Sequence, residues 1–221
     1  MGLLDPPSTA DATAILNDLT RWRLQQWGFV IIRGTYASQP KWDKFVRLAQ
    51  EDARDYFEQR RMLDLYDKMA WTVTGDGAAL DGAGLEVARE KFREWLDGDG
   101  GKKDMEGSVF AEEGVVYRGP RYSFFLFVDE ESLESVVDEG KAKEEGGYVV
   151  KIVAKVSKEG EGQEGEEGEQ AEEELDEDDR ERELEDVRKR VKVNALVEMY
   201  ARLLDVNSWY ILPIEDGVVD M

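Results

Sequence analysis

The stretch Trp27-Gly-Phe-Val-Ile-Ile-Arg-Gly-Thr-Tyr36 decides how the rest of the chain is read. Phe29 to Ile32 is an unbroken apolar run containing three β-branched side chains, which predicts a strand buried on both faces and central in its sheet. Helical periodicity flanks it. Upstream, Ala12, Ile15, Leu16, Leu19 and Trp22 recur at threes and fours behind Ser8 or Asp11 as a cap, with Gly28 placed to end that helix. Downstream, Ser38 is positioned to cap a long helix with Pro40 in its first turn. Its stripe is Trp42, Phe45, Val46, Ala49, Ala53, Tyr56 and Phe57.

Further along, Trp71-Thr-Val-Thr74 alternates as a half-buried strand, and Leu85, Ala88, Phe92 and Trp95 mark a shorter helix ending in the glycine-rich Gly98 to Asp104. Met105 to Pro120 has no clean period and reads as a loop with a short strand at Val115 to Tyr117. Tyr122-Ser-Phe-Phe-Leu-Phe-Val128 is apolar on both alternating faces and predicts a second central strand. Asp129 is placed to cap a helix carrying Leu133, Val136 and Val137. In Tyr148 to Val156, Lys151 and Lys155 alternate with apolar residues, the pattern of an exposed edge strand. Asn194 to Leu204 is helical, and Trp209 to Leu212 predicts a last short strand or a packing arm.

Strand, helix, strand, inserted helix, strand, helix, strand is the order of an α+β, ferredoxin-like (split βαβ) antiparallel sheet, here with one inserted helix and extra N- and C-terminal helices. The expected organisation is an N-terminal helix in residues 1–27, a core in 28–156, an acidic disordered linker in 157–190, and a C-terminal helix and arm in 191–221. A ferredoxin-like sheet leaves one face to be covered by the terminal helices, by a second copy, or by a ligand.

Charge and composition narrow the function. The chain has 221 residues, 51 acidic against 29 basic, a net charge of −22 and a pI near 4.4. Phosphate backbones and anionic membranes would repel it, so neither nucleic acid nor membrane is an expected partner. There is no cysteine and no histidine, which removes thiol nucleophiles, thiolate zinc sites and the usual base near neutral pH. We expect no cofactor and no metal, and a cytosolic or nuclear location. The acidic run Glu159 to Asp179 reads as a solvated tether.

The aromatics of the second central strand invite comparison with base-stacking RNA-recognition strands, but the basic-glycine-aromatic order of that motif is missing and core packing is the plainer account. Gly82-Ala-Gly84 and Gly98 to Gly101 lack phosphate-loop spacing. Arg33 stands out because it lies within a buried strand and needs a partner, either a carboxylate or an anionic ligand. Arg118 and Arg121, at the entrance to the other central strand, would join it in an anion site if the two strands were antiparallel neighbours.

Trp27 to Tyr36 followed by Trp42 and Phe45, then Phe127-Val-Asp-Glu-Glu-Ser-Leu-Glu-Ser-Val136, and Met199-Tyr-Ala-Arg-Leu-Leu204 with Trp209-Tyr210, resembles a group of hypothetical proteins of filamentous (ascomycete) fungi. The resemblance covers most of the chain outside residues 98–118 and 157–190, and it implies a shared fold and a cytosolic, fungal protein with no known activity. Gly34 stands where that pattern has a cysteine. Two function classes follow: a non-enzymatic module binding an unknown protein or a small anionic or apolar ligand, or a small-molecule enzyme of the dimeric α/β-barrel type using Tyr, Arg and Asp. The first suits a monomer or a homodimer, and the second needs a dimer.

Overall fold

The computed structural model describes residues 7–113, 119–137, 149–154, 188–212, 214–215 and 218–219. The strands are β1 (Val30–Arg33), β2 (Thr72–Thr74), β3 (Phe124–Val128), β4 (Val149–Ala154), β5 (Arg188–Lys192), β6 (Ile214–Glu215) and β7 (Val218–Val219). The helices are α1 (Ala10–Trp22), α2 (Gln39–Gln59), α3 (Leu63–Tyr66), α4 (Gly77–Leu80), α5 (Leu85–Asp97), α6 (Asp99–Asp104), α7 (Val109–Glu113), α8 (Pro120–Ser123), α9 (Glu130–Val137) and α10 (Leu196–Arg202). Among the described residues, no helix is long and apolar enough to cross a membrane.

The fold is mixed α/β around a seven-stranded sheet in the order β2-β1-β3-β4-β5-β7-β6. Both strands expected to be central are buried throughout their length, and β2 lies at an edge with a half-exposed pattern. The ferredoxin-like order is nevertheless corrected. β1 is flanked by β2 and β3, both parallel to it, with Val30 opposite Thr72 on one side and Phe125 on the other. β4 runs antiparallel to β3 on the far side, and β5 extends the sheet antiparallel beyond β4.

The physical reason lies in the segment the sequence marks as an insertion. A tight β2–β3 connection would force an antiparallel pair, whereas parallel pairing needs a crossover of a dozen or more residues. α5 is the centre of that crossover. The chain steps from β1 outward to β2 through α2, then back across β1 to β3 through α5. With both crossovers right-handed, this reversal puts α2 and α5 on opposite faces of the sheet. The core divides accordingly. Phe29, Ile31, Phe124, Leu126, Val150, Ile152 and Val191 pack toward α1, α2, α9 and α10. Val30, Ile32, Phe125, Phe127 and Val153 pack under Leu80, Ala88 and Phe92 of α4 and α5. The second face is therefore covered over β1 and β3 rather than open.

Several local expectations hold. Ser38 Oγ accepts from the Lys41 N–H, Pro40 lies in the first turn, and Trp42, Phe45, Ala49, Ala53, Tyr56 and Phe57 are buried along α2. α1 ends earlier than expected, at Arg23 in the left-handed region (φ 55°). Gly28 has a different task. Its φ is +109°, and a Cβ there would stand 2.9 Å from the Ala70 carbonyl oxygen, where Trp27 bridges to Met69.

The expected edge strand at Val149 is interior instead. Val150, Ile152 and Val153 are fully buried, because Arg188 to Lys192 forms β5, beginning inside the stretch expected to be linker. Trp209 is buried against Phe124 at 5.0 Å from a 3-10 turn, not a strand. Gly98 to Asp104 holds the short helix α6. The strand expected at Val115 to Tyr117, Lys155, and the linker as far as residue 187 lie outside the described residues.

Candidate functional site

In an open α/β sheet, ligands are received outside the carboxyl ends of the parallel strands, where the strand order reverses. That point lies between β1 and β3, and a cleft of about 430 Å³ opens there. It is lined by Gly34, Thr35 and Ala37 after β1, by Asp81, Gly82 and Ala83 from the turn between α4 and α5, and by Asp129, Glu130 and Glu131 after β3.

Each wall is fixed by short-range chemistry. The Gly34 N–H donates to the Val128 carbonyl at 2.9 Å, continuing the parallel ladder by one residue, and its own carbonyl accepts from the Gly82 N–H at 3.0 Å. A Cβ at Gly34 would come within 2.5 Å of the Phe127 ring, so the absence of a side chain lets the two strand ends close on each other. Asp81 Oδ1 accepts from the Tyr36 N–H at 2.9 Å and ties the turn between α4 and α5 to the loop after β1.

The β3 side is held by a three-way polar contact. Asp129 Oδ1 accepts from the Ser132 N–H at 3.1 Å and from Ser132 Oγ at 2.9 Å, which caps α9 as the sequence predicts. Asp129 Oδ2 is paired with Lys151, whose ammonium also meets Glu131 Oε2 at 2.6 Å. Burial pushes the Asp129 carboxyl up, but the Lys151 hydrogen bond and charge, with the Ser132 donors, hold it below the ordinary carboxylate value. The Lys151 hydrogen bond draws Glu131 down in the same way. The cleft thus presents four carboxylates, two of which share the single positive charge of Lys151. Among the described residues, no three acidic side chains converge closely enough to hold a metal ion.

The arginine site expected from the sequence is not assembled. Arg33 is at the carboxyl end of β1, in register with Val128, whereas Arg121 precedes the amino end of β3. At about 3.3 Å per residue, the parallel pairing separates them by more than about 13 Å. Arg118 lies outside the described residues.

Arg33 is satisfied locally. Nε donates to the Thr35 carbonyl at 2.9 Å, Nη1 donates to Gln39 Oε1 at 2.9 Å, and the guanidinium lies 4.3 Å and 4.6 Å from the Tyr36 and Trp42 ring centres. Arg121 has the carboxylate partner that a buried cation needs. Nε donates to Asp104 Oδ2 at 2.6 Å and Nη2 to Oδ1 at 3.2 Å, while further donors reach the Gly28 and Ala70 carbonyls and Thr72 Oγ1. Tyr122 donates to the same carboxylate at 2.7 Å. This network joins β1, β2, α6 and α8 at the sheet's opposite end.

Asp81, Glu130 and Glu131 were not singled out by the sequence reading, and Asp129 was read only as a helix cap. The signal available was Asp129-Glu130-Glu131 directly after an apolar strand, but it points to a cleft only once that strand is known to be parallel to β1. Lys151, read as an edge lysine, is 8% exposed. Searches against protein-family models, curated proteins and solved structures return no match to this chain.

Proposed function

We propose that this protein is a non-enzymatic binding module whose recognition site is the cleft between the carboxyl ends of β1 and β3, and that it receives a small organic cation. One observation carries this reading: the cavity at the point of strand reversal is lined by Asp81, Asp129, Glu130 and Glu131. Its volume is in the range of small-molecule sites. Carboxylates on two of its walls favour an ammonium or guanidinium group and disfavour the anionic ligand expected from Arg33.

Binding without catalysis is the better supported class. The chain lacks histidine and cysteine, and the buried acid, base and phenol of Asp104, Arg121 and Tyr122 are engaged in hydrogen bonds centred on the Asp104 carboxylate. An enzyme of the dimeric barrel type draws on an open sheet face, and here Leu80, Ala88 and Phe92 fill that face over β1 and β3.

The test is thermal unfolding and calorimetry at low ionic strength with agmatine and spermidine. We expect saturable stabilisation of about 5 °C, weakened by added salt and reduced in Asp81→Asn. The absence of a response to either cation, or an equal response in Asp81→Asn, would count against the cleft.

A further inference from the structure

We propose that Lys151 is a tethered competitor for the cleft, an internal ammonium that occupies two of its carboxylates and sets how strongly an external cation binds. This deepens the reading above and rests on it. The argument begins from the cost of the residue's position. Lys151 is on β4, opposite Phe127 of β3 and Arg190 of β5, on the face that also carries Val153. A lysine buried there keeps its charge only where carboxylates replace the lost water. Both carboxylates that do so, Asp129 and Glu131, also line the cleft.

The two walls of the site are therefore not equivalent. On the β3 wall, both oxygens of Asp129 are engaged: one takes both Ser132 donors and the other takes Lys151. Glu131 shares one oxygen with the same ammonium, although more than half of its side chain is exposed. On the opposite wall Asp81 has one oxygen on the Tyr36 N–H; Glu130, on the β3 wall between Asp129 and Glu131, is exposed to solvent. A cation entering the cleft meets Asp81 and Glu130 directly, but gains Asp129 and Glu131 only in competition with Lys151, whose charge also repels it. A neutral side chain at position 151 removes the competitor and the repulsion together, and leaves two carboxylates that an external ammonium can satisfy.

The experiment is calorimetric titration of the full chain with agmatine, comparing wild type with Lys151→Met and Lys151→Gln, each first shown to be folded by circular dichroism. The expected result is affinity at least about tenfold higher in either variant, as removal of one nearby like charge at an effective dielectric near 20 implies. Binding by the variants alone also supports the inference, since the lysine then closes the site outright. Wild-type binding that is unchanged or weaker in the variants overturns the competitor role and leaves the cleft as a cation site. No heat in any of the three overturns both. If neither variant folds, n-butylammonium chloride is compared with sodium chloride at equal ionic strength. Restoration of the fold by the ammonium salt alone supports an exchangeable ammonium position, and failure to restore it overturns the proposal.

Discussion

The Arg121 guanidinium and the Asp104 carboxylate form a two-pronged ion pair at the amino end of the parallel strands, with side chains 1% and 4% exposed. Breaking one side of such a pair costs more than the pair contributes, because the remaining charge stays buried. Arg121→Met should destabilise by about 3–5 kcal/mol in urea unfolding. Adding Asp104→Leu should recover a large part of that loss, since the buried carboxylate is then gone. Equal stability of the single and double variants would mean that the damage comes from lost contacts to the Gly28 and Ala70 carbonyls instead.

Acid titration should show two opposite trends. Asp129 and Glu131 are held below the ordinary carboxylate value, so their contribution is full at neutral pH and is lost as pH falls through their lowered folded-state values. Glu198 behaves in reverse. Burial first, then the Asp11 charge, raise it against the pull of Arg60 and Arg202, so the folded state binds its proton more tightly than the unfolded chain does. Acidification from neutrality toward about 4.3 therefore adds stability through Glu198. Glu198→Gln should raise the pH 7 melting temperature by up to about 2 °C and remove that part of the pH dependence. A lowered melting temperature at pH 7 would sink this assignment.

Gly34→Ala places a methyl group against the Phe127 ring, so one of the two strand ends has to move. Overpacking of this kind costs about 1–3 kcal/mol. Phe127→Leu on the Gly34→Ala background should restore part of the loss, giving a favourable coupling in a double-mutant cycle. Additive effects would show that the ring yields without strain.

The strand order makes a separate prediction. Ile31→Asp and Ile152→Asp should be comparably damaging, because both positions are buried in interior strands, whereas Val73→Asp on the β2 edge, 45% exposed, should cost little. Soluble yield and melting temperature decide it. Tolerance of Ile152→Asp would return β4 to the edge.

What the sequence made legible was local. The Val30 to Ile32 run, the α2 stripe, the Ser38 and Asp129 caps and the all-apolar β3 could be placed, because each depends on neighbours a few residues away. Pairing direction was not legible, since β1 and β3 would be equally apolar in either orientation. The site followed the error in direction. Antiparallel pairing brings Arg33 toward Arg121, while parallel pairing brings Gly34 beside Val128 and assembles a carboxylate-lined cleft. β5 was hidden for another reason. Arg188, Lys189, Arg190 and Lys192 carry no apolar alternation, and Val191 alone marks the strand's buried face.

The parallel pairing of β1 with β3 has a consequence for how the chain reaches its fold. Val30 and Phe125 are 95 positions apart, so β1 cannot gain this neighbour until much of the chain has emerged from the ribosome. In the interval α2, which follows β1 directly, is the nearest shield for the Phe29 and Ile31 face, while Val30 and Ile32 wait for α5. Loop closure over such a span delays the non-local contacts, and an unpaired Val-Ile-Ile segment is the kind that associates with copies of itself. We therefore expect refolding to be slow and to lose yield as protein concentration rises, and truncation before α5 to worsen both.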